Sequence, residues 1–134
     1  MRIAVIADIH GNFDALEAVV EDLERTRPDL VVNLGDSLSG PLKPRETADL
    51  LMAKDWLTVR GNHDRYLIER PLDQLGASDR AAAEAMAPEH FDWLRSLPFS
   101  LRAAEDVMLF HATPGDDNTY LMEQVRAGRS EMRP

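Results

Sequence analysis

Three short apolar runs, at 2–7 (R-I-A-V-I-A), 30–34 (L-V-V-N-L) and 56–60 (W-L-T-V-R), alternate with segments of helical spacing. No other feature constrains the fold as much. Continuous apolar runs of this length predict strands covered on both faces. Between the first two runs, Asn12 is placed to cap a helix over 13–25. Phe13, Leu16, Val20 and Leu23 share one face of it, while Asp14, Glu17, Glu21, Asp22 and Glu24 form a solvated one. Pro28 ends that unit, and the turn-rich S-L-S-G-P-L-K-P at 37–44 leads into a second helix over 45–53. The order β-α-β-α-β predicts parallel strands joined by right-handed crossovers. All three strands then end on one edge of the sheet, where open α/β sheets carry their ligand sites.

Beyond this unit, 65–97 reads as helical and polar, with Phe91, Trp93 and Leu94 available for packing. Strands are expected at 99–103 and 107–111, joined through Glu105-Asp106. The loop A-T-P-G-D-D-N follows His111, then a short helical stretch over 119–126 and a polar tail. With no internal repeat or long linker, the 134 residues read as one domain: a βαβαβ part (1–64), a helical segment (65–97) and the start of a second sheet (98–134).

The net charge of −9 argues against a nucleic acid as a stable partner bound through a broad basic surface. It leaves room for phosphoester chemistry in which bound metal ions supply the local positive charge. The absence of cysteine excludes disulfides and thiolate metal sites. The first residues run straight into a strand pattern, and no apolar run approaches the roughly 20 residues that span a bilayer. The expectation is a cytoplasmic protein with no membrane partner.

The strand ends carry the chemistry. The first run ends on Asp8 and His10, the second on Asp36, the third on Asn62 and His63, and the last expected strand on His111. Strand alternation would point Asp8 and His10 the same way, as metal ligands or as a hydrogen-bonded Asp–His pair. Gly35 and Gly61 stand directly before polar residues, where tight turns and close approach need them. Carboxylate, imidazole and amide oxygen suit Mn, Fe, Ni, Co or Zn. Asp36, on the central strand, is placed to bridge two ions, and two ions activate water for in-line displacement at phosphorus. His63 is the candidate general acid, with Asp64 to orient its ring.

D-I-H at 8–10, G-D at 35–36, G-N-H-D at 61–64 and H-A-T-P at 111–114 resemble the ordered motifs of calcineurin-like metallophosphoesterases. The likeness is greatest to the small prokaryotic phosphodiesterase/phosphatase branch, and it spans residues 1–121. It implies an α-β-β-α sandwich and a hydrolase with one or two divalent transition-metal ions. One ion would sit at Asp8, His10 and Asp36, the other at Asp36, Asn62 and His111. Asn62 and His63 would contact a small phosphoester, a metal-bridging hydroxide would attack phosphorus, and His63 would protonate the leaving group. The family pattern continues with a G-H-x-H element, for which this sequence has no counterpart: its four histidines are His10, His63, His90 and His111. The expectation is therefore a C-terminally truncated sandwich with an incomplete second sheet, an uncovered apolar face and a tendency to form homo-oligomers. The alternative is a catalytically weak or inactive truncated remnant that binds metal or phosphate, or acts as an interaction module.

Other polar residues have plainer readings. His90 is a surface or packing residue, and Asp116 and Asp117 serve a turn or helix cap rather than a metal. Arg60 is either a phosphate contact or a rim salt bridge. Asn12 is both cap and neighbour of the site.

Overall fold

The computed structural model describes residues 1–133. Three parallel strands, β1 (Ile3–Ile6), β2 (Leu30–Asn33) and β3 (Leu57–Thr58), form a sheet in the order β1-β2-β3. Ile3 pairs with Leu30 and Asn33 with Thr58, so β2 is central, as its polar exit at Asp36 requires. β1 lies at the edge instead. Val5 is 58% exposed, so the run at 2–7 is not covered on both faces. Ile6 packs on the helices and Ile3, on the other face, against the core that contains Val32, and the cover fails at Val5.

Helices α1 (Phe13–Thr26) and α2 (Pro44–Met52) provide the crossovers. Asn12 caps α1, its Oδ1 accepting the Ala15 N–H at 3.2 Å. The helical segment comprises α3 (Asn62–Glu69), a 3₁₀ turn at Leu72–Gln74, α4 (Ala77–Ala85) and α5 (Pro88–Ser96). α3 begins three residues earlier than the expected start at 65, so Asn62 and His63 stand in its first turn rather than at a strand end. Leu16, Leu38, Leu51, Leu67, Leu75, Leu94 and Leu97 form one core among these helices, with Ile6 and Ile9 packed against it.

Strands β4 (Ser100–Ala104) and β5 (Val107–Phe110) make an antiparallel hairpin. Leu109 packs with Val32 and Val59 in a second core, flanked by Leu30, Leu57, Leu101 and Val107. The sheet is thus layered between the helices and this two-stranded second sheet. Residues 119–126, expected to be helical, contain β6 (Glu123–Arg126) instead. It pairs with β7 (Arg129–Met132), a segment expected to be a polar tail. Ala127 and Gly128 both have positive φ (49° and 74°), the conformation of a two-residue hairpin turn, which folds 129–132 back onto 123–126 as a paired strand.

Candidate metal centre

The loops after β1 and β2 continue to pair beyond the strands. Asp8 N–H donates to Gly35 O, His10 N–H to Asp36 O and Gly11 N–H to Ser37 O, each at 3.0 Å. Asp8, His10 and Asp36 take left-handed backbone conformations, with φ of 54°, 49° and 52°. Such strain costs about 1–3 kcal/mol per residue and persists where the surroundings impose it, most often at functional sites. Asp8 and His10 therefore converge through this loop geometry, not through alternation along a strand. Gly35 and Gly61 let the second and third loops touch: a Cβ on Gly35 would lie 2.3 Å from the Gly61 nitrogen.

These loops, the first turn of α3 and the end of β5 bring Asp8, His10, Asp36, Asn62, His63 and His111 to the wall of one cavity of about 590 Å³. Asp36 is at its centre and nearly fully buried. Its Oδ1 accepts the His63 backbone N–H at 2.9 Å. Its Oδ2 lies 3.9 Å from His10 Nε2 and 3.6 Å from His111 Nε2. His10 Nε2 is also 3.8 Å from Asp8 Oδ1, and one ligand atom from each of Asp8, His10 and Asp36 falls within 4.8 Å of the others.

Hydrogen bonds on the far side of each ring fix which nitrogen faces the centre. His10 Nδ1 is 2.8 Å from Ser39 O, and His111 Nδ1 is 2.8 Å from Leu34 O. A carbonyl only accepts, so both Nδ1 atoms carry hydrogen, and in the neutral rings both Nε2 atoms present lone pairs. In that neutral form His111 Nε2 faces Asn62 Oδ1 at 3.1 Å, lone pair to lone pair. The amide is turned that way by Asn118, whose Oδ1 accepts from Asn62 Nδ2 at 3.1 Å and from Tyr66 OH at 3.4 Å. With both rings neutral, the two Nε2 lone pairs gather beside Asp36 Oδ2, and the Asn62 oxygen stands next to His111. Nitrogen and oxygen donors with ring orientation set from behind are the chemistry of a divalent transition-metal centre, and this donor set fits one.

Asp64 does not orient His63. Its carboxylate is fully buried and accepts backbone N–H groups of Ser37 at 2.9 Å and Gly61 at 3.1 Å, tying the second loop to the third. Burial, and secondarily the charge of Asp36, push its carboxyl up to about 6. His63 Nδ1 instead meets Asp79 Oδ1 at 2.9 Å, while its ring stands edge-on to His10 with centroids 5.4 Å apart.

Asp117 is also not a cap. It is buried and forms a two-pronged ion pair with Arg65 of α3, at 2.7 and 2.8 Å, which ties the loop after β5 to the helix bearing Asn62 and His63. Asp116 serves a turn, accepting the Asn118 N–H at 2.9 Å. His90 is a packing residue: buried, with Nε2 2.9 Å from Asp49 Oδ1 and Nδ1 accepting the Ala87 N–H. Arg60 does not line the cavity. Ser39, Asp79 and Asn118 carry no motif. Asp79 sits in the first turn of α4, where an acid reads from sequence as a partner of the helix dipole.

The family model for calcineurin-like phosphoesterases matches residues 1–129. An uncharacterized protein of Methanocaldococcus jannaschii is 31% identical over 120 residues, covering 84% of this chain and 49% of that protein. The crystal structure of a metallophosphoesterase from Sphaerobacter thermophilus aligns with a TM-score of 0.75 at 33% identity, over 92% of this chain and 52% of the other. A hypothetical protein from Pyrococcus horikoshii gives a TM-score of 0.77 over 93% of this chain and 60% of the other; at 21% identity that likeness shows the fold alone. The chain spans about half the length of the Methanocaldococcus and Sphaerobacter proteins.

Proposed function

This chain belongs to the calcineurin-like phosphoesterase family, and we propose that it is a metal-dependent hydrolase of a phosphodiester or phosphomonoester. The observation that carries this proposal is the convergence of donor atoms on one place: His10 and His111 Nε2 stand 3.9 and 3.6 Å from Asp36 Oδ2, with Asp8 Oδ1 3.8 Å from His10 Nε2 and Asn62 Oδ1 3.1 Å from His111 Nε2. Asp8, His10 and Asp36 would hold one ion, and Asp36, Asn62 and His111 a second. Mn, Fe, Ni, Co or Zn would, when bound, act as Lewis acids toward phosphoryl oxygen and lower the pKa of coordinated water.

The chain's own residues do the rest. The backbone N–H of His63 holds Asp36 by one oxygen, leaving the other free to be shared. Ser39 and Leu34 carbonyls keep the two imidazoles turned inward, and Asn118 keeps the Asn62 oxygen turned the same way. His63, on the same cavity, is the group that delivers a proton to the leaving oxygen, a contribution typically worth about 10²–10⁴-fold in rate. Asn62 and His63 contact the phosphoester, and Asp64 braces the loops that carry them.

A second reading, a module that binds metal or phosphate without turnover, is favoured by the small number of protein donors, three for each ion. Hydrolysis of bis-p-nitrophenyl phosphate and p-nitrophenyl phosphate with added Mn²⁺ or Ni²⁺ decides between them, beside an Asp36→Asn control. Metal-dependent turnover that disappears in the control supports the hydrolase. Metal binding by folded protein with no turnover on either substrate supports the module.

A further inference from the structure

His63 has a partner that no motif contains. Asp79 Oδ1, on α4, lies 2.9 Å from its Nδ1 and accepts the Ser39 hydroxyl at 2.6 Å. Ser39 Oγ is itself 3.3 Å from the same ring nitrogen. Asp79 and Ser39 are 5% and 2% exposed, so one carboxylate oxygen gathers two donors away from water. Burying a carboxylate is costly unless donors compensate it, and here the side-chain donors are Ser39 and His63. Asp64, adjacent to His63 in sequence, is already engaged by two backbone N–H groups.

We propose that Asp79, steadied by Ser39, is the positioning residue of His63. This rests on the assignment of His63 as proton donor above. The Asp79 carboxylate holds the hydrogen on Nδ1, so Nε2 is the nitrogen left to exchange protons in the cavity. As hydroxide forms its bond to phosphorus and the P–O bond to the leaving group breaks, the Nε2 proton passes to the departing oxygen, which leaves as the alcohol. The ring returns to the neutral form with hydrogen on Nδ1 and regains its proton from water. The helical segment is thereby part of the site, through one buried acid on α4.

The first test does not depend on turnover. Long-range ¹H–¹⁵N NMR at pH 8 reports which ring nitrogen of His63 is protonated, in metal-free and Zn²⁺-loaded protein. Wild type should show hydrogen on Nδ1. Asp79→Ala, checked for folding by circular dichroism, should move population to the Nε2-protonated form. The near-isosteric Asp79→Asn should give a mixture and serves if the alanine variant does not fold. An unchanged Nδ1–H form in the variants, or an Nε2–H form in wild type, overturns the proposal.

Kinetics supply the second readout. Asp79→Asn should lower kcat by roughly 10–100-fold on an alkyl phosphoester, whose leaving oxygen needs the proton. KM should change little, p-nitrophenyl substrates should lose far less, and Asp79→Glu should recover part of the loss. Equal losses on both leaving groups overturn the proposal. A wild type without turnover refutes the hydrolase assignment, and the tautomer measurement still decides the role of Asp79.

Discussion

At Gly61 the backbone passes so close to Asp36 that an added Cβ would stand 2.2 Å from Oδ1 and 2.5 Å from the backbone nitrogen. The φ of Gly61 is −88°, which alanine adopts freely, so contact alone forbids a larger residue. Gly61→Ala should therefore destabilise the fold by about 1–3 kcal/mol, as overpacking does, and displace the Asp36 carboxylate. Urea unfolding measures the first effect and Mn²⁺ affinity the second; a variant with wild-type values of both would refute the close approach. Residues of this kind are legible in the sequence because each follows an apolar run. The convergence of Asp8, His10, Asp36, Asn62, His63 and His111 can be read from that spacing. Asp79 and Asn118 cannot, because they meet His63 and Asn62 across 16 and 56 residues of chain. Helix packing and a folded loop bring them there, and neither leaves a local signature.

Among the elements, the helical layer depends on α5, whose Leu94 is fully buried in the larger core. Leu94→Ala should cost about 2–5 kcal/mol, read as a shift in the urea midpoint, and a change under 1 kcal/mol would contradict that packing. The loop after β5 is held to α3 by Arg65 and Asp117. Hydrogen bonding from the guanidinium keeps the Asp117 carboxyl below its ordinary value of 3.8 and raises the Arg65 pKa. A carboxyl depressed by folding adds stability that is complete above its unfolded value and lost as pH falls through the folded one. Asp117→Asn should thus be less stable than wild type at neutral pH, and that difference should shrink as pH falls below about 4. Identical pH profiles for the two proteins would contradict the ion pair. The C-terminal elements show the limit of periodicity. E-Q-V-R and R-S-E-M carry few apolar residues, so the hairpin of β6 and β7 rests on the turn at Ala127-Gly128 rather than on a buried face.

For the whole molecule, the βαβαβ order, the parallel sheet and its ligand-bearing edge follow from apolar runs and helix spacing. The covering of β1 does not. An edge strand with a partly open face and a central strand share the same short apolar pattern, and only the sheet order separates them. The open edge of β1, with Val5 outward, keeps self-association as a proposal. Light scattering at working concentration should then give a mass above 15.1 kDa, and a sharp monomer mass would count against it. Among the described residues no helix is long and apolar enough to cross a membrane.

The central claim is that acceptors gathered around Asp36 Oδ2 form a binding site for divalent transition-metal ions. Calorimetric titration of folded wild type and Asp36→Asn with Mn²⁺, Ni²⁺ and Zn²⁺ tests it most directly. The account predicts one or two ions bound per wild-type chain, and loss of that binding in Asp36→Asn with the fold intact. Folded wild-type protein that binds none of the three ions, or an Asp36→Asn variant that binds them equally well, would contradict it.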